Sequence, residues 1–207
     1  MENKRFLKIF GSRLDYESQK ESVMGEPYVV LLEDTQDVIF YRRDYSKEYF
    51  TIEALESGSV GLSMPLTYTS YSYRVNGGSW VEATETVVLD VAQNDKIEIS
   101  CVSESFADFE NVSSLFSVTN QFNVYGNTMS LIYGDEFEGQ EDLGGHTGAL
   151  SFLLLGCSTL VNAIDLILPA NTLSEYCYVG MFYGCTSLVS SPELPATALA
   201  DSCNQYV

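Results

Sequence analysis

Between residues 46 and 125 apolar and polar positions alternate in short runs broken by turn residues, the pattern of an all-β, Ig-like sandwich. Phe50, Ile52 and Ala54 share one face of the first run, with Tyr49, Thr51 and Glu53 on the other. Ser57 and Gly58 turn the chain into a second run over 60–64. Tyr71, Tyr73 and Val75 then alternate with Ser72 and Arg74 up to Asn76, Gly77 and Gly78, a hairpin signal because these residues tolerate positive φ. Trp80 opens the return strand. Val87, Leu89 and Val91 alternate with Val88 and Asp90, and after a turn over 93–95 Ile97, Ile99 and Cys101 alternate with Glu98 and Ser100. Two further strands are predicted over 116–118 and 122–124.

Residues 1–45 follow a different pattern, that of a small βαββ unit. A strand is predicted over Phe6–Phe10, and Ser12 with Asp15 opens a helix in capping-box-like spacing that Gly25 and Pro27 end. Strands follow over Tyr28–Leu32 and 38–41. So small a unit builds no secure core alone. Its apolar strand residues Phe6, Leu7, Ile9, Phe10, Tyr28, Val30 and Leu32 are therefore the expected docking residues, against the next domain or a partner.

From residue 127 onward the chain repeats itself. Gly156, Cys157, Leu160 and Val161 recur as Gly184, Cys185, Leu188 and Val189, 28 residues later. Leu168, Pro169, Ala170, Leu173 and Cys177 recur as Leu194, Pro195, Ala196, Leu199 and Cys203, 26 residues later. A degenerate copy upstream aligns Phe137, Gly139 and Leu143 with Phe182, Gly184 and Leu188, with acids added as a polar end cap would have. A 26-residue unit with regularly placed leucines falls in the range of leucine-rich repeats, whose neighbouring turns bury each other's apolar faces. The expected repeat core is Leu160, Leu168, Leu173, Cys177, Phe182, Cys185, Leu188, Leu194, Leu199 and Cys203. Val207 stands where Met181 stands one repeat earlier, so the solenoid is expected to be truncated: the native chain continues, or a partner covers the open end. The pattern thus predicts a mainly β chain of three parts, a docking unit over 1–45, an Ig-like sandwich over 46–126 and a leucine-rich repeat solenoid over 127–207.

Charge sharpens this division. The 207-residue chain carries a net charge of −19, with 45% hydrophobic and 19% charged residues, a globular composition. Residues 1–48 hold eight of the ten cations against ten acids, and nothing after Lys96 is cationic. Such a balance excludes a phosphate-reading nucleic-acid binder and disfavours an anionic membrane surface. It also confines tryptic cleavage to the first 96 residues. No stretch approaches 18 uninterrupted apolar residues, so no membrane insertion is expected. Residues 1–14 lack the pattern of a secretory signal, and if Met1 is the true start the five cysteines are expected to mature in a reducing compartment.

Candidate chemistry is sparse. The single histidine, His146, lies among glycines and reads as a solvated loop residue. Cys157, Cys177, Cys185 and Cys203 read as metal ligands, disulfide partners or a ladder of buried thiols; their equivalent repeat positions favour the ladder, and gaps of 8 to 20 residues lack the close pairing of a structural zinc site. Asp135, Glu136, Glu138, Glu141 and Asp142 lack the spacing of an EF-hand loop and read as a solvated cap rather than a calcium site or a glycosidase carboxylate pair. Most of the tyrosines and phenylalanines read as sheet or repeat core, leaving Tyr68 and Tyr178 free as contact residues. No catalytic residue, cofactor or metal is expected.

The repeat copies, with Met181-Phe-Tyr-Gly-Cys-Thr-Ser-Leu188 and Pro192-Glu-Leu-Pro-Ala-Thr-Ala-Leu199, closely resemble the BspA-type leucine-rich repeats of gut bacterial surface proteins. The preceding block, with Phe50-Thr-Ile-Glu-Ala-Leu55 and Tyr71-Ser-Tyr-Arg-Val-Asn-Gly-Gly-Ser-Trp80, resembles the β domain that accompanies them. Phe6-Leu-Lys-Ile-Phe10, running on to Tyr28-Val-Val-Leu-Leu-Glu-Asp34, resembles N-terminal segments of virion proteins of crAss-like gut phages. These resemblances imply a non-enzymatic virion protein, a head fibre or tail appendage. Its N-terminal unit would dock to capsid or tail proteins of the same particle, and its acidic remainder would project for assembly or for contact with a host-surface glycan or protein. They also imply a homo-oligomer, expected as a trimer. The alternative is a bacterial cell-surface BspA-like adhesin.

Overall fold

The computed structural model describes residues 6–10, 28–32, 37–41, 44–63, 70–106, 109, 110, 112 and 114–205. The fold is mainly β, and the chain divides into two compact units, Met1–Asp44 and Tyr45–Val207.

In the first unit, β1 (Phe6–Phe10), β2 (Tyr28–Leu32) and β3 (Asp37–Tyr41) form one sheet in that order. β1 runs parallel to β2, and β2 antiparallel to β3. The helix expected from Ser12 lies outside the described residues.

The second unit holds two sheets. A six-stranded sheet is built from β4 (Phe50–Ala54), β6 (Tyr71–Val75), β7 (Val81–Ala83), β9 (Lys96–Ser100), β11 (Phe122–Asn127) and β12 (Leu160–Ile167), in the order β12-β11-β4-β9-β6-β7. A three-stranded sheet places β5 (Gly58–Leu62) between β8 (Val87–Val91) and β10 (Phe116–Val118). β5 starts at Gly58 rather than at Val60, because Gly58 and Ser59 already pair with Val91 and Asp90. The sheets meet through Phe50 stacked on Phe116, ring centroids 5.6 Å apart, and through Tyr71, whose hydroxyl donates to Leu62 O at 3.2 Å. Phe50, Ile52, Val60, Leu62, Ile97 and Ile99 are buried between them. Burying side chains of this size contributes roughly 1.5–3 kcal/mol each.

β11 carries the junction to the repeats. It pairs antiparallel with β4 on one side and parallel with β12 on the other, so one sheet runs through both sets of elements. Gly126 makes the close approach to Tyr49 that this junction needs. Its φ is +89°, and a Cβ there would stand 2.0 Å from Tyr49 O. A single helical turn follows, α1 (Ser130–Tyr133). Its Ser130 hydroxyl accepts Phe50 N–H at 2.9 Å and donates to Ile99 O at 3.1 Å, tying β4 to β9.

Three later stretches, 148–157, 174–185 and 200–205, stack on one another through the backbone. In the first, the N–H groups of 148, 150, 152, 154 and 156 donate to the carbonyls of 175, 177, 179, 181 and 183. The alternate residues 149, 151, 153, 155 and 157 donate instead to the carbonyl three positions back. The second stretch repeats the scheme: Tyr176, Tyr178 and Gly180 donate to Asp201, Cys203 and Gln205. Every fourth residue takes a positive φ, at Gly148, Phe152 and Gly156, at Tyr176, Gly180 and Gly184, and at Ser202. The stacking offset is 28 residues between Gly156 and Gly184 and 26 between Tyr176 and Ser202.

Candidate interaction surfaces

The candidate docking residues lie on β1 and β2 of the N-terminal sheet. Leu7 pairs with Val29 and Ile9 with Leu31 across the parallel pair, and Val29 pairs with Phe40 and Leu31 with Val38 across the antiparallel one. Phe6, Phe10, Tyr28, Val30 and Leu32 belong to the alternate rows, which also contain Lys8 and Asp37.

Among the repeat residues, Leu160, Leu168, Leu173, Cys177, Phe182 and Cys203 are buried, and Cys185 and Leu188 are half-buried. Leu194 and Leu199 depart from the expected core, at 44% and 63% exposed. Each earlier turn has its apolar residues covered by the turn stacked on it. Leu194 and Leu199 belong to the last turn of this chain, where no described turn lies above them. Val189, in the same copy of the repeat, is 77% exposed.

Tyr178 also departs from expectation. It is 1% exposed, and no described residue pairs with its hydroxyl. It lies at the register position of Leu150 in the preceding stretch and Asn204 in the next, inside the stack rather than on it. Burial holds its phenol well above the ordinary range. Tyr68 lies outside the described residues.

The acids around 135–142 surround two buried anchors, Phe137 and Leu143, and Glu136, Glu138, Glu141 and Asp142 are exposed. Leu143 N–H donates to Thr172 O, which places this segment in the stack beside the next turn. His146 is half-buried and packs edge-on against Tyr133 at 5.6 Å, with its Nδ1 3.3 Å from Glu104 O.

Two features escaped the sequence pattern. One is the cover on the first stacked stretch: Phe106 N–H donates to Ala149 O, Ser105 Oγ to Gly148 O, and Ser114 Oγ to Leu155 O. Chain from the β9–β10 connection thereby occupies carbonyls that, one turn later, accept from the stack itself. The other is a cluster around Arg74. Arg74 and Glu98 are cross-strand neighbours of β6 and β9, and the guanidinium makes a two-pronged bond, Nε to Oε2 at 2.8 Å and Nη2 to Oε1 at 2.5 Å. Its Cζ stands 4.7 Å from the Trp80 ring centroid and 5.5 Å from that of Tyr49, a cation–π arrangement. Tyr49 packs on Trp80 and Phe137 and donates its hydroxyl to Asp135 at 3.1 Å. Burial first, then this bond to a carboxylate, raises the Tyr49 phenol. The spacing of Arg74 and Trp80 across the hairpin was the available signal.

Burial holds the thiols in their protonated form at neutral pH. All five cysteines are free, and burial pushes Cys101 and Cys185 up to about 11 and Cys157 to about 12. A thiol held protonated is a poor nucleophile and a poor metal ligand. Among the described residues no group of three or more His, Cys, Asp or Glu is placed to hold a metal ion, and no helix is long and apolar enough to cross a membrane. No protein-family model, curated protein or solved structure matches the chain.

Proposed function

We propose that this chain is a non-enzymatic structural protein of a phage virion, a head fibre or tail appendage. Residues 1–45 attach it to capsid or tail proteins of the particle, and an Ig-like β-sandwich with BspA-type leucine-rich repeats projects outward for assembly or host-surface contact. The supporting observation is the stacking of 148–157, 174–185 and 200–205 at offsets of 28 and 26 residues. Stacked turns of this kind offer an extended surface that binds without doing chemistry. The three paired, apolar-rich strands of residues 1–45 support attachment at the opposite end of the sequence, and residues 1–48 hold eight of the ten cations.

The test is to band phage particles from a producing culture on a density gradient and search them for peptides of this protein by mass spectrometry. Stoichiometric recovery in the virion band is the expected result. Recovery in the bacterial envelope, with none in virions, would overturn the virion reading in favour of a surface adhesin. A chain lacking residues 1–45 should no longer band with particles.

A further inference from the structure

We propose that Cys157 and Cys185 are a disulfide-forming pair, a covalent staple between two stacked turns that closes when the folded protein meets glutathione disulfide. The backbone ladder brings the two positions together. Gly156 N–H donates to Tyr183 O at 2.7 Å, which lays the 155–156 peptide over the 183–184 peptide. A Cβ on Gly184 would stand 3.3 Å from Gly156 Cα, so these two glycines lie against each other. The next residue on each turn is the cysteine. Hydrogen-bonded backbones run about 4.8 Å apart, inside the Cα separation of roughly 4.4–6.8 Å that a disulfide spans.

The Cys185 thiol already reaches across. It donates to Leu154 O at 3.1 Å, and the same carbonyl accepts Cys157 N–H at 3.2 Å. Cys185 is half-buried and Cys157 buried, so an oxidant meets Cys185 first. The other stacked pair is arranged differently. Cys177 turns its thiol to Ser174 O within its own turn, at 3.2 Å, and both Cys177 and Cys203 are buried.

The exchange balances as follows. Cys185 gives its proton to solvent, and the thiolate attacks one sulfur of glutathione disulfide, forming a mixed disulfide and releasing one glutathione thiolate. Cys157, deprotonated in turn, attacks the Cys185 sulfur, forms the Cys157–Cys185 bond and expels the second glutathione thiolate. The two thiolates take up two protons. The protein is oxidised by two electrons, and one glutathione disulfide is reduced to two glutathione molecules. Because burial holds both thiols protonated at neutral pH, the reaction quickens as the pH rises.

The folded full chain is incubated with glutathione disulfide at mildly alkaline pH, remaining thiols are alkylated, and a peptic digest is read without reduction. The expected result is loss of two hydrogens from the intact mass, one cross-linked peptide pair containing Cys157 and Cys185, and alkylated Cys101, Cys177 and Cys203. A C157A chain should stop at a glutathione adduct on Cys185. A stable adduct in the unaltered chain, a Cys177–Cys203 link, or five free thiols after a time that oxidises the urea-unfolded chain would each overturn the proposal.

Discussion

Gly184 lies close over Gly156: a Cβ on Gly184 would stand 3.3 Å from Gly156 Cα, a tight contact, and 3.5 Å from its N, at a φ of +83°. Gly184→Ala should lower the unfolding free energy by about 1–3 kcal/mol, from the left-handed backbone and the contact together. Gly139 has a similar φ of +76° with nothing within 4 Å, so Gly139→Ala should cost less. Urea denaturation of both variants separates the backbone part from the contact part. Equal losses would mean that the turns do not press on each other here.

Ser130→Ala should cost about 2–3 kcal/mol in the same assay. The substitution leaves Phe50 N–H buried without an acceptor and removes the donor to Ile99 O. Ser59→Ala, in which the hydroxyl lost is an exposed one paired with Thr119, should cost under about 1 kcal/mol.

Trp80 is the single tryptophan, which makes its fluorescence a direct report on the Arg74 cluster. Arg74→Ala removes the guanidinium that lies over the Trp80 and Tyr49 rings and should shift the emission to longer wavelength as water reaches the indole. The stability loss should stay near 1 kcal/mol, because Arg74 and Glu98 keep part of their side chains in solvent. An unchanged spectrum would count against the stacking.

Tyr178→Phe should be neutral or stabilising by up to about 1 kcal/mol, since it removes a buried hydroxyl that has no described partner. A loss above that range, read by thermal unfolding, would reveal a bonded hydroxyl.

The buried thiols make stability fall at alkaline pH. Folding raises Cys101, Cys157 and Cys185 above the ordinary thiol value of 9.0, to about 11, 12 and 11. The unfolded chain therefore binds fewer protons above pH 9, and the stability these groups contribute is whole below that pH and lost as pH rises through the folded values. Unfolding midpoints under reducing conditions should fall steadily from pH 9 to 11.

The strands were legible where one face meets a core. Phe50, Ile52 and Ala54, or Ile97 and Ile99, alternate because a period of two places them all between the sheets. The repeat was legible through its cysteines, leucines and glycines, which recur at fixed offsets. Tyr178 was misplaced because its stretch does not alternate like a strand. A positive φ at every fourth residue sets its orientation, and two of the residues that adopt it there and in the preceding stretch are Tyr176 and Phe152, which carry no turn signal. The cover over the first stretch was illegible because its acceptors are the backbone carbonyls of Gly148 and Ala149, which leave no mark in residue type. The Arg74 cluster needed the register of β6 on β9, neighbours in the sheet that are separated in sequence by β7 and β8, and the opposing charges of Arg74 and Glu98 alone do not fix that register.

The alternation of backbone donors within 148–157 and 174–185 acts as a counting rule for insertions and deletions. Adding one residue inside such a stretch would exchange the amides that face the next turn with those that close their own, and adding two would restore that order but move the positive-φ sites off their period of four. Only a change of four residues keeps both. The two-residue difference between the offsets accordingly falls outside these stretches, between Val161 and Leu168, where β12 absorbs it. Length variation in this fold is thus channelled into the connections, and the stacked stretches stay fixed in length while their side chains change.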